Sequence, residues 1–383
     1  MEISKASTRL LSLDVMRGIT ICGMILVNNP GSWSHIYAPL KHAEWNGLTP
    51  TDLVFPFFMF IMGISCYASL RKFNFEPTRP VITKILKRTV KIFLVGLLLN
   101  FFYTFASNYN HLEAENIPFF TRLYQSVTHL EHLRILGVLQ RLALCYGAGS
   151  LIAVLVKSRN LPFVIAGGLL GYFLILLFGH GFVPDQTNII GIIDRAILGE
   201  NHMYIDMGIE PEGLLSAIPS VCHVLIGFCC GRIIMETKEN KERMLSLFLL
   251  GTILLFIGFL LSYGCPVIKK VWSPTYVLVT CGAASLLLSL LIWLIDEQGY
   301  KSWSRFFEVF GVNPLAIYVF AGVFATLVEE FKIGGIIPKT VFYNFLSSYL
   351  DIYFSSFIYA LIFICVCWGV GYYLYKKKIY IKL

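Results

Sequence analysis

Ten long apolar stretches dictate what this chain can become. Residues 10–28, 53–70, 89–107, 135–156, 161–178, 214–234, 244–263, 276–295, 306–328 and 354–375 are each long enough to cross about 30 Å of hydrocarbon as a helix. With 56% hydrophobic residues, 14% charged residues and a mean hydropathy of +0.70, an ordinary soluble globule is excluded. The expected fold is an all-α polytopic membrane protein. No low-complexity tract, internal repeat or long polar segment marks a second unit, so residues 1–383 are expected to form a single transmembrane domain. The first run follows Lys5 and Arg9 as a signal peptide would, but Arg17 interrupts it and it has no small-residue cleavage site, so it stays as a helix. Nine of the ten cysteines lie inside apolar runs and only Cys265 falls in a loop, a distribution that makes no disulfide framework.

Lysine and arginine bias in the short loops sets the orientation. Residues 71–91 carry Arg71, Lys72, Arg79, Lys84, Lys87, Arg88 and Lys91 against Glu76 alone, and should face the cytoplasm. Lys157 with Arg159, Arg232 to Arg243, Lys301 with Arg305, and the tail from Lys376 to Lys382 fall on the same side, which makes both termini cytoplasmic. The opposite loops are poorer in positive charge, and Asp185, Asp194, Glu200, Asp206, Glu210 and Glu212 outweigh Arg195 in one of them. Lys269 and Lys270 are the exception on that outer side. Seven of the eight histidines fall in or beside outer loops, leaving His223 in a membrane helix. His129 and His132 are one helical turn apart, but no HxxxH or Cys/His pattern accompanies them, and no metal is expected.

Charges inside membrane helices are costly and mark function by default. Asp14 and Arg17 are three residues apart and can pair within their helix. Gln140 and Arg141 lie inside a spanning run, where an arginine needs a partner or a wet cavity; Asp52, Glu212 or the phosphates and carbonyls of a bound donor are candidates. Pro219, Pro314 and Asn313 are expected to interrupt two spans, and such breaks often line cavities. Most tryptophans sit at predicted interfaces, as membrane anchors do.

The richest polar stretch is residues 40–63, in which His42, Glu44, Trp45, Asn46 and Asp52 run straight into an uncharged apolar helix. Gly47, Thr49 and Pro50 mark a turn, with Thr49 or Thr51 as the N-cap and Asp52 in the first turn, where the positive helix end favours a carboxylate. The segment KHAEWNGLTPTDLVFPFFMFIMG resembles the KHAxWNGLTxxDLVFPxFxFIMG signature of the transmembrane heparan-α-glucosaminide N-acetyltransferase family. LSLDVMRGITICGMILVNN at 11–29, RILGVLQRLALCYG at 134–147, PEGLLSAIPS at 211–220 and WSPTYVL at 272–278 follow in that family's order. The resemblance implies that His42 is the active-site residue, with Asp52 and Asn28 beside it as catalytic candidates. Asn28 matches an asparagine of the pattern and either orients a carbonyl or caps its helix.

The resemblance also implies the reaction, transfer of acetyl from acetyl-CoA to the amino group of a glucosamine-type hexosamine, with His42 as general base or acetyl carrier. Arg141, Gln140, Arg17 and Arg88 are the candidate donor-binding residues. Basic residues between the second and third spans would suit CoA phosphates, although a positive-inside topology predicts the same charge. The expected partners are an amino-sugar substrate and membrane lipids, without nucleic acid and with a homodimer left open. Lysosomal relatives carry a further luminal domain and a preceding membrane helix, so a bacterial-type member in the plasma membrane is expected. Two other classes stay open: a transporter of sugars or cell-wall fragments, and an O-acyltransferase of surface polysaccharide.

Overall fold

A computed structural model describes residues 10–115, 117–332 and 335–381, so Lys5, Arg9 and Lys382 lie outside the described residues. Its regular structure is helical: α1 (Leu11–Asn28), α2 (Val54–Leu70), α3 (Arg79–Ala114), α4 (Phe119–Thr128), α5 (Val138–Leu155), α6 (Leu161–Phe178), α7 (Ile189–Leu198), α8 (Ala217–Glu236), α9 (Asn240–Leu261), α10 (Pro274–Leu291), α11 (Ser304–Val312), α12 (Pro314–Glu330), α13 (Pro338–Ser347) and α14 (Ile352–Lys376). Nine of these, some extended by a flanking turn, are long and apolar enough to cross a membrane among the described residues, and α11 with α12, bent by 85° at their junction, bring the number to ten if the bent pair is counted as one span. The expected polytopic all-α architecture is therefore present.

Departures from the expected boundaries have local causes. Helix α3 has 36 residues, about 54 Å at 1.5 Å per residue, because its polar ends continue the helix beyond the apolar run 89–107. Helices α4, α7 and α13 are 10 residues each, too short to span, and hydropathy windows pass over them. Pro219 does not interrupt its span: it is the third residue of α8, where the missing N–H would have no helical partner, and the helix runs on to Glu236. Pro314 does break its span. There Asn313 is buried and holds the C-terminal tail, its Nδ2 donating to Ile379 O (2.8 Å) and its Oδ1 accepting from Ile381 N (2.9 Å).

Small residues let the central helices touch backbone to backbone, as membrane helices do without a hydrophobic drive between them. At the crossing of α2 and α8, a Cβ on Gly63 would lie 2.2 Å from Val224 O, and one on Gly227 2.2 Å from Phe60 O. The loops gather at two ends. Arg71 donates to Met235 O (2.9 Å) and Arg232 to Ser158 Oγ (2.8 Å), tying together the basic connections at one end. At the other, Trp45 Nε1 donates to Phe182 O (2.9 Å), Gly47 N to Val267 O (2.9 Å) and Ile135 N to His202 O (3.1 Å). These are the groupings that the charge bias assigned to opposite membrane faces.

Candidate active site

The polar turn before α2 is built around one carboxylate. Residues Pro50–Leu53 form a 3-10 turn that runs into α2, and Thr49 caps it. Asp52 Oδ2 accepts from Thr49 N (3.0 Å), Thr49 Oγ1 (2.9 Å) and Ala43 N (3.0 Å), while the side chain has no solvent exposure. Three donors and the positive end of the helix together stabilise its ionised form without water. The remaining oxygen, Oδ1, lies 2.7 Å from His42 Nδ1. With Asp52 accepting from Nδ1–H, the imidazole is held in the tautomer that keeps its lone pair on Nε2. The His42 side chain is 47% exposed.

The support for this pair comes from distant sequence. Tyr276 in α10 donates its hydroxyl to Asp52 O (2.6 Å), and Trp272 packs edge-on against Phe55 and Tyr276 with ring centroids 5.3 and 5.1 Å apart. Ser273 Oγ accepts from Tyr276 N (3.2 Å) and Ile268 N (3.0 Å), which closes the loop before α10. That loop delivers Lys269 to the histidine. Its Nζ lies 2.9 Å from His42 Nδ1, 3.2 Å from Nε2 and 3.5 Å from Asp52 Oδ1. Burial pushes the Lys269 ammonium below its ordinary pKa, against the opposing pull of Asp52 and Glu212.

A second charged cluster lies within the electrostatic reach of the first. Arg134 Nε donates to Glu210 Oε2 (3.1 Å), and Nη2 donates to Glu212 Oε2 (2.6 Å) and Glu210 Oε1. Burial alone would raise Glu212, but Arg134, Arg141 and Lys269 together outweigh it and hold the carboxyl below its usual range. Burial raises Glu210, whose side chain is wholly enclosed.

The structure divides the other sequence-predicted site residues among three places. Arg141, fully buried in the first turn of α5, donates to Gly213 O (2.9 Å), Ser220 Oγ (3.4 Å) and Ser216 Oγ, with its guanidinium 5.2 Å from the Trp272 ring centroid. Its hydrogen-bond partners are a carbonyl and hydroxyls rather than a carboxylate. Asn28 and Gln140 line a pocket of about 230 Å³ with Asn100 and Tyr318. Arg17 and Arg88 line a cavity of about 1010 Å³ at the opposite end of the helices from His42, with Arg79, Lys84, Lys87 and Lys91. Arg17 there donates to Asp14 Oδ1 (3.0 Å) and Ser65 Oγ (3.1 Å), and Arg88 lies over the Tyr146 ring. Val312, Pro314 and Leu315 from the broken span line the same cavity, and Leu139 lines both it and the smaller pocket. Among the described residues no three His, Cys, Asp or Glu side chains converge as metal ligands.

Sequence reasoning did not assign Lys269, Arg134, Glu210 or Tyr276 to the site. A signal existed for Lys269, since with Lys270 it broke the charge pattern of the outer loops, and for Tyr276, which lies in the WSPTYVL segment.

A family model described as an acyltransferase domain matches residues 10–375. Heparan-alpha-glucosaminide N-acetyltransferase from Homo sapiens is 27% identical over 386 aligned positions, which cover 84% of this chain and 54% of that protein. Its counterpart from Mus musculus is 26% identical over 380 positions, covering 82% and 53%. The chain thus spans about half the length of the curated relatives it matches.

Proposed function

We propose, for a chain that belongs to the acyltransferase domain family, that it transfers acetyl from acetyl-CoA to the amino group of a hexosamine at His42. The observation that carries this reading is the His42–Asp52 pair: a wholly buried carboxylate 2.7 Å from Nδ1 keeps the lone pair on Nε2, the nitrogen that Lys269 Nζ approaches to 3.2 Å. In direct transfer, Nε2 takes a proton from the attacking amine and returns it to the departing thiolate, while Asp52 stabilises the transient imidazolium. A two-step route, with acetyl passing through His42, uses the same residues. Direct transfer is preferred because it asks only for a base.

The cavity lined by Arg17, Arg79, Lys84, Lys87, Arg88 and Lys91 suits the phosphates of the donor, since six cationic side chains focus an attractive potential on a polyanion. Through Leu139 it adjoins the pocket of Asn28 and Gln140, whose amides can hydrogen-bond the carbonyls of a pantetheine arm. On this reading CoA approaches from the basic, cytoplasmic face and the acceptor from the other. The acceptor's hydroxyls would meet the Arg134, Glu210 and Glu212 cluster.

The test is purified protein given labelled acetyl-CoA and a panel of amino sugars. N-acetylated hexosamine supports the proposal. O-acetylation would move the protein to polysaccharide O-acylation, and saturable uptake into vesicles without chemistry would make it a transporter.

A further inference from the structure

An amine acylated at His42 must bring its nitrogen within hydrogen-bond reach of that imidazole. The chain already holds one there. Lys269 Nζ lies 3.2 Å from Nε2, the nitrogen left free by Asp52, and 2.9 Å from Nδ1. Only 19% of its side chain is exposed. The loop that presents it is rigidly bonded, with Trp272 N donating to Lys269 O (2.8 Å), Ser273 N to Ile268 O (3.0 Å), and Ile268, Val271 and Trp272 buried around it. Neighbouring Lys270 is turned away into an ion pair with Asp206 (2.8 Å), so Lys269 is the amine that faces the base.

We propose that Lys269 is a self-acylation site, at which the protein's own amine takes the acceptor's place at His42 when an acyl thioester is present and no acceptor is bound. This rests on the reading of His42 as base and of an acyl-CoA as donor. The neutral Nζ attacks the thioester carbonyl; a C–N bond forms as the C–S bond breaks. One Nζ proton passes to His42 Nε2 and from there to the leaving thiolate, giving a free thiol and N6-acyl-lysine with no change in oxidation state. The lowered Lys269 pKa enlarges the neutral fraction relative to a solvated lysine. The resulting amide is uncharged, cannot pair with Asp52 and fills the acceptor's position, so the modification acts as a brake when acceptor is scarce.

The experiment uses the full chain in detergent with labelled acetyl-CoA and no sugar, followed by peptide mass spectrometry. The expected result is an acetyl increment on Lys269 that resists hydroxylamine, is suppressed by added glucosamine, and falls roughly 10²-fold in His42→Ala, the order of a general-base contribution. Lys269→Arg keeps the charge and should carry no increment at that position. An unmodified Lys269 overturns the inference, as does label on His42 instead, or label spread over exposed lysines such as Lys41 regardless of His42. Glucosamine turnover is measured on the same preparation. Turnover with an unmodified Lys269 removes this inference alone, whereas absence of both removes the acetyl-CoA reading as well.

Discussion

His42 and Asp52 divide the work of a base between two environments, one accessible and one sealed. Replacing His42 by Ala removes a half-exposed side chain that packs little, so the variant should stay folded, with a melting temperature lowered by the loss of the hydrogen bond to the buried Asp52 carboxylate. Its acyl-transfer rate should fall roughly 10²- to 10⁴-fold, the range for a general base. A folded variant with near-normal rate would remove His42 from the chemistry. Asp52→Asn tests a different property. The amide cannot accept at both positions now bonded to His42 Nδ1 and to the Thr49 and Ala43 donors, so the histidine loses its enforced tautomer and the turn loses its cap. The rate should drop, together with about 0.5–2 kcal/mol of stability of the order measured for helix caps. Activity and thermal unfolding measured on one preparation separate the two effects. Lys269 shows the limit of reading residues one at a time. It is 227 positions from His42 in sequence, and although its charge broke the pattern of the outer loops, that exception did not say that it would end beside the ring.

Helix packing decides whether such a site is held still. The turn that runs into α2 carries Asp52, and the contact of α2 with α8 depends on Gly63 and Gly227 meeting opposing backbone. A valine at Gly63 would place its Cβ 2.2 Å from Val224 O, which no rotamer change relieves. Gly63→Val should therefore cost at least the roughly 1–3 kcal/mol typical of overpacking, seen as a lower melting temperature in detergent. An unchanged melting temperature would show that α2 and α8 can separate freely. The two prolines that the sequence treats alike part company at this scale. Pro219 falls in a first turn, where a helix tolerates it, while Pro314 follows Asn313 at a bend of 85° and lines the large cavity.

The whole molecule poses a question of sidedness. If the basic end faces the cytoplasm, cysteine at position 43 in an otherwise cysteine-free background should react with an impermeant thiol reagent in intact cells, and cysteine at position 74 should not. The reverse pattern would invert the topology and cancel transfer across the membrane. The cavity gives a second test. Neutralising Arg79, Lys84, Lys87 and Arg88 together should raise KM for acetyl-CoA and flatten its salt dependence, while the acceptor's KM stays unchanged. Unchanged donor kinetics would leave those four charges as determinants of orientation only.

The number of spans, their order and the sorting of loops into two ends were legible in the chain, because the free energy of placing a stretch in hydrocarbon sums over its own residues and needs no neighbour. The His42–Asp52 pair was legible for a related reason: ten residues separate the two groups across a turn whose cap, Thr49, is itself local. Only the tertiary structure decided the remainder. It brought Lys269 and Tyr276 to that pair, gave Arg141 to the Gly213 and Ser216 backbone and hydroxyl rather than to a carboxylate, and set Arg17 and Arg88 on one cavity with Asn28 and Gln140 on another. Each of those outcomes depends on which faces of distant helices meet, and that is a property of pairs which hydropathy, summed residue by residue, does not contain.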